Sequence, residues 1–164
     1  MGTTVILNAA PAAHLSAELL AAVDALIVNQ TEAASVSSGA LSLAPPGADA
    51  MESLLLRVSS LGVSTTVMTL GGDGSLYRHG TDAVGRVAAC RVEPVDTVGA
   101  GDAFCGTLAV RLAEHQIGGG IDRMAVMDAV CWACAAGGLA TTRRGAIPSL
   151  PTRAEVVGLL RQVQ

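Results

Sequence analysis

The chain has 164 residues, enough for about one domain with a proper core; 51% are hydrophobic but only 2% aromatic, so that core must be built from Ala, Val and Leu. A net charge of -4 argues against a general nucleic-acid binder or a protein of anionic membrane surfaces. All ten basic residues are Arg, and a chain without lysine is neither a P-loop nucleotidase nor a pyridoxal-phosphate enzyme, since each needs one.

In chain order, Val5-Ile6-Leu7 predicts a short buried strand, and Ser16 can cap a helix running through Leu19, Leu20 and Val23. Ala25–Val28 predicts a second strand ending at Asn29, followed by a short helix over Gln30–Val36. The stretch from Gly39 to Gly47, with Pro45-Pro46, predicts a loop. Asp49–Leu61 predicts a helix with Met51, Leu54, Leu55 and Val58 on one side, and Thr65–Leu70 a strand stopped by Gly71-Gly72-Asp73-Gly74. Ser75–Arg78 and Ala83–Val92 predict a hairpin or extended arms around Gly80. Helices over about Gly101–His115 and Asp122–Thr141 follow, with Gly118-Gly119-Gly120 between them, and a last helix over Thr152–Val163. Short apolar strands alternating with helices predict an α/β layered fold around a mostly parallel sheet. The chain shows no internal repeat, low-complexity tract or signal peptide.

Cys131 and Cys134 are spaced C-x-x-C inside a small-residue helical run, with no second such pair for zinc. They are expected to be packed thiols in a reducing cytoplasm. The most membrane-like stretch, Ala125–Ala140, is short and carries Asp128, so a core helix is expected and no membrane.

The chemistry concentrates in Asp96-Thr97-Val98-Gly99-Ala100-Gly101-Asp102. A helix opening near Gly101 presents unpaired N–H groups and the positive end of its dipole, which suits an anion. The flanking glycines let the backbone come close enough to form a phosphate nest. A carboxylate beside bound phosphate is a poor ligand for it but suits a base that takes a proton from an attacking hydroxyl, and Asp102 is placed for that role. The plainer alternative makes Gly99-Ala100-Gly101 a tight turn and Asp102 the cap of its helix.

With Ala103-Phe104 and Gly106 behind it, this segment resembles the signature of the ribokinase family of carbohydrate kinases, and other segments match the family in order. The resemblance covers nearly the whole chain, yet only as the C-terminal, ATP-binding half of a ribokinase-like fold. It implies a single partial domain over residues 1–164, with the N-terminal half and β-lid missing. Asn29-Gln30-Thr31-Glu32 matches the family's Asn-x-x-Glu, which implies Asn29 at phosphate oxygens and Glu32 holding water on Mg²⁺; a loop Asn capping the next helix is the alternative. Thr69, Leu70, Gly71, Gly72, Asp73 and Gly74 are similar to the nucleotide loop, although a glycine-rich turn explains them equally well. Cys134 falls where the family places a residue near adenine, and packing is its alternative.

The segment Thr142–Ser149 resembles the family's closing loop and implies a K⁺ site made by Asp96, Val98, Ala140, Arg143, Gly145 and Ser149, largely through main-chain carbonyls. Without the resemblance, Arg143 and Arg144 read as a solvated charge pair. His14, His79 and His115 align with no motif and are expected at the surface. The implied reaction moves the γ-phosphate of ATP to a sugar hydroxyl, with Asp102 as base and the N–H groups of Gly99, Ala100, Gly101 and Asp102 as the anion seat. D-ribose, giving ribose 5-phosphate, is the first choice of substrate. A truncated, non-catalytic nucleotide-binding module is the alternative. Uncovered strand edge and apolar surface are expected, with self-association into a homo-oligomer or pairing with a complementing N-terminal half.

Overall fold

The computed structural model describes residues 3–38 and 49–163, and the loop expected at Gly39–Gly47 lies outside them. The chain divides into two compact units, the first formed by residues 1–70 with 75–86 and the second by 71–74 with 87–164.

The first unit is built on a sheet of β1 (Ile6–Asn8), β2 (Ala25–Asn29), β3 (Thr65–Thr69), β4 (Ser75–His79) and β5 (Gly85–Val87), hydrogen-bonded in that order. β1, β2 and β3 are parallel, with Ile6 opposite Ala25 and Asn29 opposite Thr69, whereas β4 returns antiparallel with Ser75 opposite Thr69. Mostly parallel strands need cover on both faces, and the sequence supplies it: Ala25–Val28 and Thr65–Met68 are buried without alternation. Of the arms expected over Ala83–Val92, only Gly85–Val87 pairs as a strand.

Among the described residues, three short helices belong to this unit. In α1 (Ala17–Ala21) the Ser16 hydroxyl accepts from the Leu19 N–H at 3.2 Å, and in α3 (Ala50–Ser59) the Asp49 carboxylate accepts from the Glu52 N–H at 2.7 Å. α2 (Gln30–Val36) has the expected bounds. Leu55 and Val58 of α3 are fully buried with Leu26, Val28, Met68 and Leu76. Each large aliphatic buried this way contributes about 1.5–3 kcal/mol. Polar pins set the helix on the sheet: Ser59 and Thr66 share a hydroxyl hydrogen bond of 2.6 Å, and Arg57 donates to Ser37 Oγ at 3.1 Å.

The second unit consists mainly of α4 (Ala100–Gly118), α5 (Arg123–Ala140) and α6 (Arg153–Val163). Phe104, Leu108 and Leu112 of α4 are buried, and α5 contributes a buried face of Ala125, Val126, Ala129, Val130, Ala133, Ala136 and Ala140. α5 is long and apolar enough to cross a membrane by those criteria alone, but half of it is buried within the protein, as a core helix should be. Arg111 reaches Asp128 and Glu114, Arg153 reaches Glu114, and both guanidinium groups lie over the Trp132 ring, at 4.5 and 5.4 Å from its centre. His115 Nε2 is 2.8 Å from Asp128 Oδ2, and His79 Nδ1 is 2.9 Å from Thr65 Oγ1. These two histidines are therefore half-buried partners in polar pairs; of the three expected at the surface, only His14 is exposed. The helical period turns His115 toward α5, which isolated-residue reasoning does not register.

Candidate functional site

The first turn of α4 carries the strongest chemistry. Its N-cap is Gly99, held in the left-handed region at φ 82°, and no side chain caps this end of the helix. A Cβ at Gly99 would lie 3.0 Å from both the Ala146 carbonyl oxygen and Ser149 Oγ, so glycine is required by conformation and by space. Asp102 is the third residue of the helix, not its cap, and its carboxylate is exposed. The helix-cap alternative fails on that placement. Gly101 is exposed as well, and nothing lies within 4 Å of where its Cβ would be. An open helix N-terminus with a carboxylate in its first turn can seat an anion and accept a proton beside it.

The segment leading into α4 is fixed by the loop after α5. Asp96 accepts from the Val98 N–H at 3.1 Å and from the Gly145 N–H at 2.9 Å. Hydrogen bonds from Gly145 and then Val98, with the charge of Arg144, hold its carboxyl below the ordinary range. Ser149 is fully buried; its hydroxyl donates to the Ala146 carbonyl at 2.7 Å and lies 3.5 Å from the Val98 carbonyl oxygen. Asp96, Val98, Gly99, Gly145 and Ser149 are thus brought into one knot. Ala140 ends α5 beside this loop, its carbonyl 3.4 Å from the Arg143 N–H. Arg143 is ion-paired with Glu155, so it forms no charge pair with Arg144, which is exposed.

Gly71-Gly72-Asp73 forms a single 3-10 turn in the same unit. Gly74 has φ 89°, and a Cβ there would lie 2.0 Å from the Val87 carbonyl oxygen, a contact that only glycine tolerates. Cys134 is buried on α5, as its packing alternative expects, and the four cysteines form no disulfide among the described residues.

In the first unit, Asn29 and Thr69 lie side by side at the C-terminal ends of β2 and β3, the edge where parallel sheets bind ligands. Leu70 follows them and is buried. Asn29 Oδ1 accepts from the Glu32 N–H and Glu32 Oε2 accepts from the Asn29 N–H, both at 2.8 Å. The two form a complete capping box on α2, as the capping alternative expects. Glu32 is buried at that end, with its second carboxylate oxygen outside the box.

Two contributors escaped the sequence reading. The Thr141 carbonyl accepts from the Val95 N–H at 2.7 Å and the Asp96 N–H at 3.0 Å, and the Ala146 carbonyl anchors Ser149. Both act through the main chain, which leaves no residue-type signal.

Comparison with known proteins identifies the family and the fold. Residues 1–153 match the model of the pfkB family carbohydrate kinases. A ribokinase from Schizosaccharomyces pombe is 33% identical over 96% of this chain and 46% of its own length. Fructokinase-1 from Zea mays is 41% identical over 58% of this chain and 29% of its own. The structure of Arabidopsis thaliana ribokinase complexed with ribose and ATP superposes with a TM-score of 0.78 at 29% identity, covering 96% of this chain and 47% of that one. The chain spans about half the length of the ribokinases it matches. With a ribokinase-like α/β fold and a family match over nearly all its residues, the chain belongs to the pfkB family of carbohydrate kinases.

Proposed function

We propose that these residues form, as a single partial domain, the nucleotide-binding and phosphoryl-transfer half of an ATP-dependent sugar kinase. The observation that carries this reading is the open N-terminus of α4: Gly99 in the left-handed region, no side-chain cap, and Asp102 exposed in the first turn. Asp102 takes the proton of the attacking sugar hydroxyl as its oxygen bonds to the γ-phosphorus, while the bond to the β-phosphate oxygen breaks and ADP leaves. The N–H groups of Gly99–Asp102 stabilise charge on the transferring group. Gly71–Gly74, following Thr69 and Leu70, supplies backbone for the rest of the nucleotide, with Cys134 a minor neighbour of the base.

The donor sets fit two cations. A single buried carboxylate, Glu32, beside Asn29 suits Mg²⁺, which keeps most of its waters and takes phosphate oxygens as well. Bound there, Mg²⁺ would offset the charge of the phosphates. The knot of Asp96, Val98, Gly145 and Ser149, with the Ala140 and Arg143 backbone, offers the oxygen ligands for K⁺. Asp96 meanwhile holds the entry to α4 in place through Val98 and Gly145.

D-ribose is the proposed substrate, because Asn8-Ala9-Ala10-Pro11-Ala12, the Asn29–Glu32 motif and Thr142–Ser149 are all of the ribokinase kind. The cysteine pattern supports the cytoplasm as its location. A second reading is a nucleotide-binding module without turnover. Calorimetric titration with Mg-ADP tests the proposal: saturable heat in the millimolar range or below is expected. A folded chain giving none would overturn the nucleotide site.

A further inference from the structure

The loop between α5 and α6 keeps its shape with little apolar packing. Of residues 141–149 only Ser149 is buried, and Ile147 is 82% exposed. Polar ties hold the loop instead. The Thr141 and Thr142 hydroxyls donate back to the Gly138 and Leu139 carbonyls, each at 2.7 Å, and the Gly145 N–H is bound to Asp96. Arg143 lies between these anchors, and its own N–H makes a long bond of 3.4 Å to the Ala140 carbonyl. Its side chain supplies the firmer tie, donating from Nη2 to Glu155 Oε1 on α6. Glu155 divides its two carboxylate oxygens between two tasks. Oε2 accepts from the Thr152 N–H at 2.7 Å and the Thr152 hydroxyl at 2.8 Å, which closes the start of α6, and Oε1 is left for Arg143. Val156, the next residue, is buried with Ala136 and Ala140 of α5, so this carboxylate stands on a packed base. A capping box accepts glutamine as well as glutamate, so the cap alone calls for no charge at position 155. The second oxygen does call for one, since an amide there would turn its NH₂ donors toward a guanidinium that has no acceptor.

We infer that Glu155 is a positioning residue for the cation knot: through the Arg143 side chain it sets the loop whose main chain meets Asp96 and flanks Gly99. The Arg143 backbone and Gly145 both belong to that knot, and the tie to Glu155 fixes the first of them from a neighbouring helix. The loop also reaches the anion seat, because the Ala146 carbonyl and Ser149 Oγ each lie 3.0 Å from where a Gly99 Cβ would be. A loop that drifts at Arg143 therefore loosens both the oxygen ligands and the entry to α4. The inference rests on the K⁺ reading above and adds to it a side chain from outside the ligand set.

The test compares Glu155→Gln, which keeps the α6 cap, with Arg143→Gln and the double variant. Hydrogen exchange of the Gly145 amide is followed by NMR in the chain without ligand. Mg-ADP affinity is then measured by calorimetry as K⁺ replaces tetramethylammonium at constant ionic strength. For a half-exposed ion pair, each single variant should lower Gly145 protection by about two- to fivefold and raise half-saturating K⁺ by a similar factor. The double variant should lose no more than either single one, because the two side chains act as a pair. Arg153→Gln breaks a different ion pair of α6, the one to Glu114, and should move neither readout. Gly145 protection or a K⁺ response that Glu155→Gln leaves at the parent value would overturn the inference, with the cation site left standing. Additive losses in the double variant, or equal losses with Arg153→Gln, would reduce Glu155 to a general stabiliser and overturn it too. ADP affinity in the unaltered chain that ignores K⁺ would remove the cation site, and with it the task given to Glu155.

Discussion

Two helix N-termini in this molecule are finished in opposite ways. α2 begins with a capping box in which Asn29 and Glu32 satisfy each other's backbone N–H groups at 2.8 Å. α4 begins on a left-handed glycine with no side-chain cap and leaves its carboxylate facing solvent. A side-chain cap stabilises a helix by about 1 kcal/mol over alanine but only by about a few tenths over glycine, so Gly99 leaves the α4 terminus open at little cost in stability. The difference fits the proposed seat of a ligand at the α4 terminus and a structural first duty for the α2 terminus.

The largest effect that sharpens this contrast concerns chemistry. In whatever form is active, this chain alone or completed by an N-terminal half, Asp102→Asn should lower turnover by about 10²–10⁴-fold, with nucleotide affinity nearly unchanged. Steady-state kinetics beside ADP calorimetry check both parts. Turnover equal to the parent would remove Asp102 from the mechanism.

Gly99→Ala comes next. Alanine in the left-handed region costs about 1–2 kcal/mol, and its Cβ would press on the Ala146 carbonyl and Ser149. Lower stability in denaturant titration should accompany weakened nucleotide binding.

A pair of substitutions then reads the contrast directly. Asn29→Ala should destabilise by about 0.5–2 kcal/mol through the lost cap. Asp102→Ala, which breaks no cap, should stay within about 0.5 kcal/mol of the parent. Equal losses in chemical denaturation would erase the distinction between the two termini.

The smallest effect is acid sensitivity of the closing loop. Glu155 is held at about 2 by the Thr152 N–H, then Arg143 and the Thr152 hydroxyl, against an ordinary value of 4.5. Its stabilisation is complete above about pH 4.5 and is lost as the pH falls from there toward 2; Asp96, also lowered, acts with the same sign. Glu155→Gln should flatten the pH dependence of unfolding over that window.

Much of this was legible in the sequence because it is local. The bounds of α2, the cap Ser16 and the stop at Gly71–Gly74 all follow from residue types within a few positions. The Gly99–Asp102 motif was equally plain, but its open cap was not: only the structure shows that Asp102 is the third residue of the helix. What remained hidden depends on partners far along the chain. The bond from Gly145 N–H to Asp96 spans 49 positions, and a backbone N–H has no letter in the sequence. The pairing of His115 with Asp128 needed the packing of α4 on α5.

The central claim is that the open end of α4, not the capped end of α2, seats the transferred phosphate. Amide chemical shifts of the labelled chain, followed by NMR during titration with a non-hydrolysable ATP analogue and Mg²⁺, test it most directly. Saturable shifts at Gly101 and Asp102 are predicted, with the capping-box bond at the Glu32 amide kept throughout. Saturable binding that leaves the Gly99–Asp102 amides unmoved would contradict it.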